Sequence, residues 1–213
     1  MAISVASVIS DATGIYNSIP TARQITLFNE AHALIGRVVK LYPDDAVDVS
    51  LTAGTQKYTY DADVLRVWHA AYFSAAGTSH PLTETSVDEK DYNEEGWRQA
   101  SSGIPHEWFE EGSQIGFYPA PNTTTSASYP KVVLYCQQRR VLTTSDSLPD
   151  FINDPDAWVD LMAYKWARRR HPADTQMRAI LARKSLNALS MQVMGRAVRS
   201  KPSMHFDIPL INH

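Results

Sequence analysis

The stretch "KWARRRHP" holds the one basic cluster of the chain: Lys165, Arg168, Arg169 and Arg170. Its chemistry would be binding rather than catalysis. Lys165 and Arg169 are four apart and share one face of a helix, whereas Arg168 and Arg170 point elsewhere. Two readings stand side by side. Cations in a last helical turn are favoured by the helix dipole, by ~0.3–1 kcal/mol. The same cations also suit an acidic protein partner or DNA phosphate. No helix-turn-helix or RNA-binding motif accompanies them, so a protein that reads DNA sequence is not expected.

Residues able to make or break bonds are present but not in working arrangements. The seven histidines, at 32, 69, 80, 106, 171, 205 and 213, are scattered, and no two stand at a metal-ligand spacing. There is no phosphate loop, no G-x-G-x-x-G, no H-E-x-x-H and no G-x-S-x-G. Glu94, Glu95, Glu107, Glu110 and Glu111 could supply the carboxylate pair of a glycosidase, but acidic residues near β-turns are usually solvated loop residues. Cys136, the single cysteine, sits in "KVVLYCQ" and reads as a small buried hydrophobe. The expectation is a protein without catalytic residues, metal or cofactor, and not an enzyme. Tyr58, Tyr60, Trp68, Tyr72 and Trp97 could line a sugar or ligand site, although alternation along strands makes most of them core.

The elements that must position these residues are legible from periodicity. "TARQITLFNEAHALIGRVVKLYP" repeats apolar residues every three or four, from Leu27 to Leu41, and predicts a helix with Thr21 as its cap and Pro43 as its stop. A shorter helix near residues 3–12 precedes it. "VDVSLTAGTQKYTY" alternates around Ala53-Gly54 and predicts a hairpin. "DVLRVWHAAYF" predicts a strand, and Ser86 followed by Glu89 predicts the capped start of a short helix. "HEWFEEGSQIGFYPAPN" predicts a hairpin turning at Glu111-Gly112, and "PKVVLYCQQR" a last strand. Asp154-Pro155 predicts the start of a helix whose stripe is Trp158, Leu161, Met162 and Trp166. A further helix spans about Pro172 to Val198, with Met177, Ile180, Leu181, Leu189, Val193 and Ala197 roughly on one side.

The fold class expected is α+β: a helical bundle from the N- and C-terminal helices, an inserted β-rich domain and an extended C-terminal tail. The boundaries are 1–43 and 143–198 for the bundle, 44–142 for the insert and 199–213 for the tail. The net charge of -3 conceals an asymmetry. Residues 43–150 hold seven Lys/Arg against sixteen Asp/Glu, and residues 151–213 hold ten against five. An acidic middle and a basic end suggest two surfaces with different partners. No apolar run approaches the ~20 residues of a membrane span, so no membrane partner is expected. A lone cysteine suits a reducing, intracellular site of folding.

Several short motifs occur in a fixed order. Asn29, Ala31, Pro43, Asp44 and Ala46 end the long helix, and Ala53, Gly54 and Thr55 form a turn. Trp97, Gly103 and Pro105 precede a strand running into Tyr118, Pro119 and Pro121, and Leu148-Pro149 precedes the penultimate helix. This ordered set, which spans almost the whole chain, resembles the head-to-tail adaptor proteins of tailed bacteriophages, the connector rings beneath the portal. The chain departs from that pattern in "LMAYKWARRR", which is more basic. The resemblance implies a structural subunit of the virion neck with no active site. Its implied partners are the portal protein, the tail nozzle or next tail protein, and itself, as a ring, typically a dodecamer. Double-stranded DNA would pass through the ring without sequence recognition. It also implies that a C-terminal segment reaches up to the portal.

The chain ends "KPSMHFDIPLINH". Pro202 and Pro209 bar a helix, and alternation puts Met204, Phe206, Ile208 and Leu210 on one side of an extended arm. With the portal contact that the resemblance implies, Met204, His205, Phe206, Ile208, Pro209, Leu210 and Ile211 are the expected docking residues. The alternative is that this arm packs back on its own bundle.

Overall fold

A computed structural model describes residues 2–122 and 130–197 of the chain. The architecture is α+β, with five α-helices and two four-stranded sheets among the described residues. In order, α1 (Val5–Ile15) and α2 (Thr21–Val38) lead into β1 (Ala46–Ser50), β2 (Lys57–Thr59), β3 (Val64–Phe73), β4 (Ser79–Pro81) and β5 (Thr83–Glu84). Then come α3 (Val87–Asn93), β6 (Glu107–Glu111), β7 (Gln114–Tyr118), β8 (Lys131–Gln138), α4 (Asp156–Arg170) and α5 (Thr175–Ala197). The chain divides into two compact units: residues up to Tyr42 with the chain from Arg139 onward, and Pro43–Gln138. The tail expected over 199–213 lies outside the described residues.

In the helical unit α1 starts at Ser4, whose Oγ accepts from the Ser7 N–H at 3.1 Å, satisfying one of the donors a helix start leaves over. The long helix α2 is capped by Pro20 rather than Thr21, with no side-chain cap bond. It ends at Val39, whose backbone is already extended. The start of α4 also shifts by one residue. The Pro155 carbonyl receives the first helical bonds, from Trp158 and Val159, so Pro155 is the cap. The Asp154 carboxylate instead accepts from the Asp156 N–H at 2.9 Å.

Helix α4 touches α1, α2 and α5. It is buried almost all round, with Ala157, Val159, Ala163 and Tyr164 covered as well as the predicted stripe of Trp158, Leu161, Met162 and Trp166. A helix enclosed by neighbours needs no polar face. Helix α5 corrects the expected apolar side. It buries Ala182, Leu186, Leu189 and Ser190, whereas Met177 and Ile180 are exposed. The i, i+4, i+7 row from Ala182 to Leu189 faces α4, and Met177 and Ile180 fall on the far side of the helix.

In the second unit one sheet runs β1-β8-β3-β4 and the other β2-β7-β6-β5. All pairs are antiparallel except β5 with β6. The hairpin expected around Ala53-Gly54 does not form. β1 pairs with β8, and β2 pairs with β7 in the other sheet. Alternation records which face is buried, not which strand is the neighbour. The chain changes sheets at Gly54, whose φ of 74° suits glycine, and whose N–H donates to the Pro121 carbonyl at 2.7 Å. The β6–β7 hairpin does turn at Gly112, with φ of 64°.

The two sheets enclose one core, with Leu134 and Cys136 from the first facing Trp108, Ile115 and Phe117 from the second. A smaller cluster, Trp97, Phe109 and Tyr118, forms apart from it. Gly116 is required there, because a Cβ would lie 2.1 Å from the Phe109 ring.

Candidate functional site

The basic cluster is held by the helical unit. Its four cations lie in the second half of α4, where the helix carries its negative end. Lys165 Nζ stands 3.2 Å and Arg169 3.5 Å from the same Glu30 carboxylate oxygen on α2. Two of the four thus tie α4 to its neighbour. Arg168 is exposed, and Arg170 is exposed with its guanidinium 6.0 Å from the Trp166 ring. The outward positive charge is therefore chiefly Arg168 and Arg170, with Arg169 half engaged. The docking residues Met204, His205, Phe206, Ile208, Pro209, Leu210 and Ile211 lie outside the described residues.

His32 and Cys136 are both engaged in structure. His32 on α2 is 2% exposed. The Trp158 indole N–H donates to its Nδ1 at 3.1 Å. An indole can only donate, so the neutral ring carries its proton on Nε2 and gives it to the Tyr42 oxygen, 3.2 Å away. Burial first, and the Arg140 charge second, bring its pKa down to about 4. Arg140 itself lies over the Tyr42 ring at 3.9 Å. Cys136 is buried in the sheet core, and burial, with Asp45 adding to it, pushes its thiol up to about 11. A thiol so protonated is a poor nucleophile.

Three of the five carboxylates, Glu94, Glu107 and Glu111, are in ion pairs, while Glu110 accepts from the Tyr60 hydroxyl at 3.5 Å and is pushed up, chiefly by burial. Lys90 on α3 is 7% exposed. Its ammonium meets Glu107 at 2.5 Å and Glu94 at 2.9 Å, and sits 3.9 Å from the Tyr118 ring. Burial works against that charge, but the bonds to Glu107 and Glu94 outweigh it and hold the amine above its ordinary range. The Tyr118 hydroxyl, and then Lys90, keep Glu94 below the usual carboxylate range. Glu111 pairs with Lys57 at 2.5 Å. The i, i+4 spacing of Lys90 and Glu94 is visible in the sequence; the approach of Glu107 from β6 is not. Among the described residues no group of three or more His, Cys, Asp or Glu is placed to hold a metal ion.

The five aromatics of the sugar-site alternative divide between places: three share the inter-sheet core and two do not. Tyr72 is in the inter-sheet core, with Tyr58 and Tyr60 against its edge. Trp97 belongs to the separate cluster and donates its indole N–H to Asp91 at 2.7 Å. Trp68 is half-buried under the Arg66 guanidinium, 4.6 Å from its ring. The Tyr58 hydroxyl is occupied by the Thr52 backbone, accepting from its N–H and donating to its carbonyl.

The residues of the ordered motifs behave as joints. The Asn29 side chain donates to the Leu142 carbonyl at 2.9 Å and accepts from the Leu142 N–H at 2.8 Å. It thereby clamps the returning chain to α2. Gly103 pairs with Pro121 in an isolated bridge, and its N–H donates to Ala120 at 2.7 Å. A Cβ on Gly103 would come within 2.9 Å of Pro119. Trp97 meets Tyr118 edge to face at 6.0 Å. Leu148 is buried, and its N–H donates to the Ile3 carbonyl at 2.9 Å. Segments far apart in sequence are thus knotted by residues with no chemistry of their own.

No helix among the described residues is long and apolar enough to cross a membrane. No curated protein matches the chain. The model of one family, described as SU10 adaptor protein, matches residues 3–203, joints and basic helix included. A match over nearly the whole length, with motif residues that build the scaffold rather than a reaction centre, makes this chain a member of the SU10 adaptor protein family, a family of phage head–tail adaptors.

Proposed function

We propose that the chain is a structural subunit of a phage neck, forming a ring that joins the portal to the tail and continues the DNA channel. The observation that carries this reading is the family match from residue 3 to residue 203. The family is one of structural adaptors, not of enzymes. The helical unit, built from both ends of the chain, would make the subunit and portal contacts, and the β-rich insert would face the tail nozzle or next tail protein. The segment 199–213 would dock on the portal through Met204, His205, Phe206, Ile208, Pro209, Leu210 and Ile211. Lys165, Arg168, Arg169 and Arg170 would supply portal contacts or line the path of the DNA. In a dodecamer even a modest cationic surface is repeated around the ring, which attracts DNA through phosphate without reading its bases. The test is direct imaging and sedimentation of the purified chain with and without portal rings. A second ring stacked coaxially on the portal is the expected result; a chain that never sediments with the portal overturns the reading.

A further inference from the structure

The outer face of α5 has no partner among the described residues. Met177, Ile180 and Met191 are 51%, 62% and 69% exposed. With Lys184 and Ala188, also exposed, they form one stripe at the spacing of a helix-docking face. The stripe lies opposite the row that packs on α4. Methionine adapts its shape to an approaching surface. Lys184 stands at the middle of the stripe. A two-fold pairing of two α5 helices would set Lys184 against its own symmetry mate, so the stripe is built against pairing with itself.

A complementary face is present on α1. Ser7, Ser10, Asp11 and Gly14 are exposed there, and Ser7, Ser10 and Gly14 repeat the intervals of Met177, Ile180 and Lys184. A Cβ built on Gly14 would meet no atom within 4 Å among the described residues. Gly14 stands in the last turn of α1 and leaves room there for close approach by another helix. The charge is also complementary. Asp11 acts on Asp156, whose carboxyl is pushed up by burial first and then by Asp154, Asp160 and Asp11. That end of the helical unit gathers Asp11, Asp154, Asp156 and Asp160, and α5 presents Arg183 and Lys184, both exposed.

We propose that the outer face of α5 in one copy of this chain docks on the exposed face of α1 in the next copy, with Lys184 against Asp11. This rests on the ring reading and names its contact. An interface between two different faces of the same chain propagates head to tail and closes into a ring when the rotation permits.

The test uses the full-length chain carrying Ser10→Cys and Ala188→Cys, alone at high concentration and bound to portal rings, treated with a short bis-maleimide. Cys136 is buried and stays silent. The expected result is a ladder of crosslinked dimers, trimers and higher species, with neither single variant crosslinking to itself. In parallel, Lys184→Glu should raise the concentration needed for assembly about tenfold or more, and Asp11→Lys combined with it should restore assembly. If sedimentation shows assembly but no ladder forms, this contact is overturned while the ring stands. Dimers from the Ala188→Cys variant alone, or crosslinks to the portal in place of a ladder, also overturn it. A chain that stays monomeric in both settings overturns the ring reading and this contact together.

Discussion

His32 is the residue at which acid should first be felt. Unfolded, it takes a proton near pH 6.5; folded, only near pH 4. Between those values the unfolded chain binds the extra proton, so stability falls as pH falls. The contribution is fully present above pH 7 and declines to a loss of roughly 3 kcal/mol by pH 4. Urea unfolding at pH 7 and pH 5 checks this. The difference between the two should shrink by about 2 kcal/mol in His32→Phe, whatever that variant costs in absolute stability. Gly116 makes a second prediction at this scale. A methyl group there collides with the Phe109 ring, which is fully buried against Trp97. Gly116→Ala should therefore destabilise the β unit by about 2 kcal/mol, read as a lower unfolding midpoint, and Phe109→Leu in the same chain should recover part of it.

Elements were more legible than their partners. The helix α2, the capped start of α3 at Ser86 and the β6–β7 turn at Gly112 follow from spacing and turn chemistry that act over a few residues. The pairing of β1 with β8 could not be read, because Val47 and Val49 alternate identically whichever strand lies beside them. The exposed side of α5 differs from the expected one for a related reason: the helix is apolar on two sides, and only its contact with α4 says which is core. Asn29 belongs to this scale, since within the helical unit it binds the returning chain at Leu142 back to α2 through two hydrogen bonds. Asn29→Ala leaves both Leu142 backbone groups without that partner and should cost about 2 kcal/mol. The unfolding midpoint in denaturant should fall while the slope of the transition stays unchanged.

At the scale of the whole molecule, two hydrophobic cores are each built from many buried side chains among the described residues. Deleting residues 200–213 should therefore leave the circular dichroism spectrum and unfolding midpoint of the chain nearly unchanged while abolishing its co-sedimentation with portal rings. Retained co-sedimentation would refute portal docking by the tail, and a large fall in midpoint would mean that the tail packs on its own unit. What the amino-acid sequence determined by itself was local or additive: helix and strand periods, turn glycines, the charge asymmetry, the lack of any catalytic spacing, and the ordered motifs. Those depend on residues within a few positions, or on simple counts. Only the tertiary structure decided that Glu30 gathers Lys165 and Arg169, that Glu107 joins Lys90, that Gly54 meets Pro121, and that Met177 and Ile180 face outward. Each of those depends on which distant segment fills the space beside a residue, and that is settled by packing rather than by the residue's own pattern.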